Sequence, residues 1–261
     1  MTKTATTKRA ASNLANNGVF RVLVRAGYVA NGVLHMLIGI LALQIAFGGN
    51  ASADQSGAFG AVADAPAGVV LLWAIVVGTV ALGVFQLVAA VGASEWSDRA
   101  KFVGKAVAYI AIGVIAATVA LGGSTGGGEQ SVSATLLQLP IGVILLLVVA
   151  LGVVSIGGYL VSKGARQKFL DDLQRPTGTT LTVTKVSGTT GYIAKGVALG
   201  IVGGFLAFAA IAHDPARAEG LDGALTSLTE LPFGQVLLTV VALGLVLFGV
   251  YCFVRARFAR L

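Results

Sequence analysis

Two polar residues interrupt the first long apolar stretch of the chain, and both could take part in chemistry. Asn31 and His35 are four residues apart, so on a helix they lie on one face, one turn apart. Ionisable groups inside a membrane are costly and often mark ion or proton sites. The pair therefore indicates a polar site where His35 could bind a proton or a ligand. The alternative is a neutral His35 that hydrogen-bonds a neighbouring helix, as polar residues in membrane bundles often do.

Two further polar residues in apolar stretches are candidates for the same site. Lys195 lies about two turns into the fifth stretch. Its side chain either reaches back to the membrane interface or faces a central polar cavity near Asn31. Gln86 lies in the second stretch, where it is expected to cap the end of its helix or to join the site. The candidate intramembrane polar site is thus Asn31, His35, Lys195 and Gln86.

The residue patterns of enzymes and metalloproteins are absent from the sequence. It contains two histidines and one cysteine, Cys252, so it offers no Cys/His cluster for a metal ion. The Gly-rich stretch 122–128 lacks the lysine and the preceding strand of a phosphate-binding loop. We therefore expect no enzymatic activity, no metal site and no cofactor.

Composition places the chain in a membrane. It is 56% hydrophobic and only 11% charged over 261 residues, whereas soluble domains carry about 25% charged residues. Apolar stretches of about 20 residues are the length that spans a bilayer. Six such stretches are predicted, at roughly 27–47, 67–91, 105–122, 140–161, 190–212 and 233–254.

The distribution of charge predicts the orientation. The segments between spans alternate between two sides, and one side holds every Lys and Arg of the 18 except Arg217. An excess of Lys and Arg marks the cytoplasmic side. We therefore expect a multi-pass protein of the plasma membrane with both termini in the cytoplasm. The basic residues could also contact anionic lipid headgroups, and they do not indicate binding of nucleic acid.

One pattern occurs three times along the chain. Gly-Tyr-x-Ala-x-Gly-Val begins at Gly27 and at Gly191, and the second copy begins with Ala108 in place of glycine. Pro-x-Gly follows at Pro66, Pro140 and Pro232. Glycine recurs twelve and seventeen positions after each proline, and an aromatic residue recurs at the nineteenth. Such periodicity indicates a repeat architecture.

Each repeat is predicted to be a hairpin of two spanning helices. Pro begins the second helix, where its missing N–H costs nothing. Apolar residues at three-to-four spacing before each proline predict a short interfacial helix on the external side. Two residues before each proline lies a polar side chain, so Asp64, Gln138 and Glu230 could form an external ring that attracts cations. The alternative is that these three residues lie on the water-facing side of the three interfacial helices.

The three hairpins run in the same direction, because each begins and ends on the basic side. They are therefore parallel repeats, and a pseudo-threefold bundle of six helices is the expected all-α fold. One membrane domain is expected, with a mobile cytoplasmic tail at 1–18 and hairpin repeats at 19–98, 99–173 and 174–261.

The three copies of the motif, each followed by Pro-x-Gly and a glycine-rich helix that ends in an aromatic residue, resemble a bacterial membrane family. That family is domain of unknown function 1206, which is common in actinobacteria. The resemblance covers about residues 20–258 and implies six spans in three tandem modules. It implies no activity and no site residues.

Two functional hypotheses follow from the sequence. Short loops and few polar intramembrane groups favour a non-enzymatic scaffold or accessory subunit, with a membrane-protein partner or a second copy of the chain. The polar residues that break the repeat favour a small-molecule, ion or proton transporter or channel, with its site around Asn31, His35 and Lys195.

Overall fold

The chain folds into helices throughout the part that the structure describes. In this computed structural model that part is residues 18–49, 51–66, 68–93, 95–123, 141–174, 176–212, 221–229 and 232–260. The helices are α1 (Gly18–Ala46), α2 (Gln55–Ala63), α3 (Gly68–Gly92), α4 (Trp96–Ala120), α5 (Gly142–Ala165), α6 (Gly178–Ala212), α7 (Leu221–Leu228) and α8 (Gly234–Phe258). A 3-10 helix, Lys168–Asp172, lies between α5 and α6.

Six of these helices are long and apolar enough to cross a bilayer, namely α1, α3, α4, α5, α6 and α8. The predicted six-span membrane fold is confirmed. The first helix of each repeat begins well before its apolar stretch, at Gly18, Trp96 and Gly178. At 1.5 Å per residue, the 35 residues of α6 extend about 52 Å, well beyond the roughly 30 Å hydrocarbon core. The first helices therefore project from the membrane at the basic end of the bundle, where Arg21 and Arg257 lie.

The second helix of each repeat begins at the glycine of Pro-x-Gly, at Gly68, Gly142 and Gly234. In repeats 1 and 3 the short helices α2 and α7 end just before it, as the spacing predicted. A Cβ at Gly68 or at Gly234 would overlap a carbonyl oxygen of that short helix, from Val62 or Leu228 respectively. Glycine is thus needed for close backbone contact at this turn. The short helix predicted for repeat 2 falls outside the described residues.

The six spanning helices follow one another around the bundle in chain order. The second helix of each repeat packs along the first helix of the next repeat, in the pairs α3–α4, α5–α6 and α8–α1. This places the three repeats around a common axis, as a pseudo-threefold arrangement requires. Within a repeat, α1 packs on α3 and α6 packs on α8.

Glycines at the seventeenth position after each proline join one repeat to the next. A Cβ at Gly157 would lie 2.6 Å from the carbonyl oxygen of Gly196, and one at Gly249 would lie 2.7 Å from that of Gly32. Gly83 occupies the corresponding place, where a Cβ would lie 3.0 Å from the Ile110 side chain. Small residues let membrane helices approach closely, so these positions hold the ring of repeats together.

The middle repeat lacks the contact that closes the other two hairpins. At the twelfth position, Gly78 packs on the backbone of Gly27, and Gly244 packs on Ala194. The equivalent Gly152 has open space around it, and within the described residues α4 and α5 form no packed interface. We call repeat 2 the open hairpin and repeats 1 and 3 the closed hairpins.

Candidate functional site

Three of the four predicted polar residues meet where α1, α6 and α8 come together. His35 Nδ1 lies 2.8 Å from the backbone oxygen of Asn31. Since a carbonyl oxygen can only accept, this hydrogen bond places the proton on Nδ1. The other ring nitrogen, Nε2, then carries a lone pair, and Lys195 Nζ lies 2.8 Å from it. We call Asn31, His35 and Lys195 the polar site.

Helix α8 supplies the remaining wall of the polar site. The Phe248 ring lies 4.8 Å from the His35 ring, and Lys195 Nζ lies 4.6 Å from the centre of the same Phe248 ring. The Asn31 side-chain amide donates to the sulfur of Cys252 at 3.3 Å. Lys195 therefore faces the polar centre, in line with the second of the two alternatives for its side chain.

The polar site carries a cationic group without an acidic partner. Asn31 and His35 are 8% and 6% exposed, and Lys195 is partly buried. Among the described residues, no carboxylate forms an ion pair with Lys195. Among those residues, a neutral imidazole and an aromatic face hold the ammonium group, and they offset a small part of the cost of removing a charge from water.

The repeat explains why these side chains converge. Asn31, Ile112 and Lys195 occupy the same position in the three motifs, so they share one orientation relative to the axis. In the middle repeat that position is apolar, and Ile112 packs against the core cluster of Leu34, Ile38 and Ala116. Two of three equivalent positions are polar, so the axis is polar only beside repeats 1 and 3.

The other predicted site residues lie elsewhere. Gln86 is buried inside α3, which continues to Gly92. Because Gly27 packs against Gly78 and Leu82, Gln86 lies about 15 Å along the bundle axis from Asn31, at 1.5 Å per residue. Asp64 is an exposed residue at the end of α2. Gln138 and Glu230 fall outside the described residues, so the external ring stays a prediction.

A second charged group, which the sequence reasoning missed, lies nearer the basic end. Lys163 donates to Asp172 at 2.7 Å, and Arg255 lies 3.5 Å from the same carboxylate oxygen. The Arg255 guanidinium also donates to the Tyr192 hydroxyl at 3.4 Å and lies 4.8 Å from the centre of the Tyr28 ring. We call Lys163, Asp172 and Arg255 the charged cluster.

The charged cluster controls the ionisation of Asp172. Burial favours the protonated form of this carboxyl, but the positive charges of Arg255 and Lys163 outweigh burial and lower the pKa of Asp172 below its ordinary value. The carboxylate is therefore ionised at neutral pH.

An aromatic layer separates the polar site from the basic end. Its members are Phe169, Tyr192, Phe248 and Tyr251, whose ring centres lie between 5.2 and 5.9 Å apart in the contacts they make. Phe169 reaches the layer from the 3-10 helix and packs against Gly188, where any Cβ would overlap its ring. The connector is fixed to the end of α8 by the hydrogen bond from Gln174 N to Phe258 O at 2.7 Å.

Comparison of the repeats contains the signal that finds the charged cluster. Lys163 and Arg255 both lie twenty-three residues after their prolines, and the first repeat has Ala89 there. Two basic residues at one repeat position, near the same end of the bundle, predict a shared acidic partner. Asp172 lies in the connector that follows Lys163.

The opposite end of the bundle also has a contact between repeats 1 and 3. Asp222, at the start of α7, accepts a hydrogen bond from the backbone N–H of Ala53 at 2.6 Å. Asp54 caps the following helix by accepting from Gly57 N at 2.7 Å. No local sequence pattern indicates this contact, because Ala53 and Asp222 are 169 residues apart in the chain.

Comparison with known proteins agrees with this architecture. The family model of domain of unknown function 1206 matches three regions, residues 26–93, 100–167 and 190–259. A relative described as "Uncharacterized protein YxxB", from Bacillus subtilis (strain 168), is 30% identical over 249 residues, which cover 91% of this chain and 90% of that protein. No solved structure gives a significant match. Three matches in tandem coincide with the three hairpins, and the chain belongs to the family of domain of unknown function 1206.

Proposed function

We propose that this protein moves protons across the membrane and that the polar site carries the exchangeable proton. The observation that supports this proposal is the 2.8 Å contact between Lys195 Nζ and His35 Nε2, with the imidazole tautomer fixed by the Asn31 carbonyl. A purely structural bundle gains little from a buried cation without a carboxylate, since apolar residues of similar size pack there at lower cost. A proton-binding role explains its presence.

The proposed exchange is simple. In the protonated state the Lys195 ammonium donates one hydrogen to the lone pair of His35 Nε2. Loss of one proton to water leaves a neutral amine beside a neutral imidazole, so the site changes by a single charge. The aromatic layer lies on one side of the site and the apolar cluster around Leu34 and Ile38 lies on the other. Transport therefore requires each side to open in turn, as alternating access describes.

Purified protein in liposomes tests this proposal. A pH gradient is imposed with a pH-sensitive dye inside, and the dissipation rate is compared with that of empty liposomes. We expect wild-type protein to speed dissipation and Lys195→Met to reduce that increment at least about tenfold, since the variant has no exchangeable proton there. Lys185→Met is the matched control, because Lys185 is an exposed lysine on the same helix. Equal rates for wild type and Lys195→Met would contradict the proposal.

A second candidate is a non-enzymatic scaffold or accessory subunit of a membrane complex, as partner of another membrane protein or of a second copy of the chain. It is supported by the backbone contacts of Gly157 with Gly196 and of Gly249 with Gly32, which favour a rigid ring. This candidate predicts no proton flux in the same liposomes. It also predicts a stable partner in a pull-down from native membranes, and copurification without one would count against it.

Both candidates place the protein in the plasma membrane with its termini in the cytoplasm, and neither involves enzymatic activity. The excess of basic residues at one end supports this orientation and also supports contact with anionic lipid headgroups. Single cysteines introduced near the two termini in a Cys252→Ser background test it. We expect a membrane-impermeant maleimide to label these cysteines only after the cells are opened. Labelling in intact cells would show that the termini lie on the external side.

A further inference from the structure

A groove on the outer surface of the bundle runs between α1 and α8 at the basic end. Its α1 side is formed by Val22, Arg25, Ala26 and Val29, which follow helical spacing on one face of the helix. Its α8 side is formed by Phe253, Ala256 and Arg257. The volume of about 430 Å³ falls within the range of ligand sites. The groove opens toward the surroundings of the bundle, where Val22 and Val29 are 64% and 42% exposed.

The two arginines leave this groove positively charged. The Arg25 Nε atom is buried and has no hydrogen-bond partner, although a buried donor is normally paired. Arg257 is exposed, and its guanidinium has the ring of Phe258 at 5.8 Å. None of the described residues that line the groove is acidic. Guanidinium groups bind phosphate through paired hydrogen bonds, so the two arginines are suited to bind a phosphate next to the apolar walls of the groove.

The repeat provides an internal comparison. The position of Arg25 is Ala106 in repeat 2 and Thr189 in repeat 3, and the position of Arg257 is Val91 in repeat 1 and Ala165 in repeat 2. The junctions α3–α4 and α5–α6 therefore carry no arginine at either place. The charged groove is specific to the junction between repeats 3 and 1.

We infer that this groove binds one anionic phospholipid of the cytoplasmic leaflet, with the phosphate between Arg25 and Arg257 and an acyl chain along Ala26, Val29 and Phe253. The inference deepens the proposed general contact with anionic headgroups and rests on the orientation given there. A lipid is the expected occupant because the groove faces the bilayer and combines a phosphate-binding end with an apolar floor. A lipid held at this place would brace α1 against α8, the helices that carry His35 and Phe248.

Native mass spectrometry of the purified protein tests the inference, with phosphatidylglycerol and phosphatidylcholine as the two probes. We expect a phosphatidylglycerol adduct that phosphatidylcholine does not replace. Arg25→Ala/Arg257→Ala should weaken it about tenfold or more, as loss of a charge-assisted hydrogen bond predicts. Arg99→Ala/Arg166→Ala is the control, because it removes the same charge from two exposed residues at the basic end and should change binding less than about twofold.

A third variant tests the shape of the groove independently of its charge. Ala26→Leu keeps both arginines but fills the floor of the groove, so it should also weaken the adduct. Thermal unfolding of each variant shows that it is folded. An equal loss of the adduct in both arginine double variants would overturn the specific site and leave only the general contact with anionic headgroups. No loss in either pair would overturn both, and full binding by Ala26→Leu would overturn the groove as the place of the acyl chain.

Discussion

The junction of repeats 3 and 1 and the hairpin of repeat 2 are built from the same motif, yet they differ in packing and in chemistry. At the junction, α1 lies against α8 through Gly32 and Gly249, and the polar site and the arginine groove lie on either side of that contact. In repeat 2, α4 and α5 form no packed interface within the described residues, and Ala108 and Gly152 are exposed or open. One departure from the motif adds polar and charged side chains, and the other removes a contact.

The position of Ala108 shows how a small change in the repeat has this effect. Its equivalents Gly27 and Gly191 pack directly on the second helix of their own hairpins. A Cβ at Gly27 would overlap the Gly78 carbonyl oxygen, so an alanine at that place is incompatible with the closed arrangement. The open hairpin therefore follows from the single methyl group of Ala108, which prevents the close approach seen in repeats 1 and 3.

The largest expected contrast concerns the aromatic residue nineteen positions after each proline. Tyr251 is fully buried at 0% exposure, whereas its equivalent Tyr159 in the open hairpin is 51% exposed. We expect Tyr251→Ala to destabilise the protein by about 3–5 kcal/mol and Tyr159→Ala to stay within about 0.5 kcal/mol of wild type. Thermal unfolding in detergent measures both. Similar losses in the two variants would show that repeat 2 is closed.

The glycines twelve positions after each proline give the next contrast. Gly78→Leu should cost about 1–3 kcal/mol because the added side chain meets the Gly27 backbone at 2.9 Å and cannot be accommodated without separating the helices. Gly152→Leu adds the same side chain to open space in a helix of the same membrane depth. It should leave the midpoint of unfolding unchanged, and a large loss there would contradict the open hairpin.

The charged cluster is expected to show a dependence on pH. The pKa of Asp172 is lower in the folded protein than its ordinary value of about 4. Its ionised form therefore stabilises the fold fully above about pH 4, and this stabilisation is lost as pH falls through the lowered pKa. Asp172→Asn should lower the free energy of unfolding by about 1–3 kcal/mol at pH 7. It should also remove the part of the acid destabilisation that comes from protonation of Asp172. Unfolding midpoints between pH 7 and pH 3 measure it, and parallel curves for the two proteins would refute the assignment.

Lys163 and Lys195 should respond in opposite directions, with the smallest effect at Lys195. Lys163→Met should destabilise the protein, because Lys163 is paired with Asp172 and its removal leaves a carboxylate with one cation fewer. Lys195→Met should be neutral or stabilising by up to about 1 kcal/mol, since it removes a cation that has no carboxylate partner. Thermal unfolding at pH 7 compares them. A clear loss on Lys195→Met would indicate a structural role.

Much of this architecture follows from the sequence, because the motif that repeats is the one that packs. Pro-x-Gly correctly predicts where α3, α5 and α8 begin, and the four-residue spacing of Asn31 and His35 correctly predicts a shared face. Apolar stretches alone do not show that α6 begins at Gly178, since its first turns lie outside the hydrocarbon region. The convergence of Lys195 on His35 depends on which repeats are neighbours in space, a property of the tertiary arrangement that no local pattern contains.

The most direct test of the central claim is the state of the His35 ring in a bilayer. With two histidines in the chain, His213→Gln leaves His35 as the sole histidine, so ¹⁵N solid-state NMR of the labelled protein reports it alone. We expect a neutral ring protonated at Nδ1, with an Nε2 signal that shifts when Lys195→Met is added and stays in place when Lys185→Met is added instead. A ring protonated at Nε2, or an Nε2 signal unaffected by Lys195→Met, would contradict the polar site.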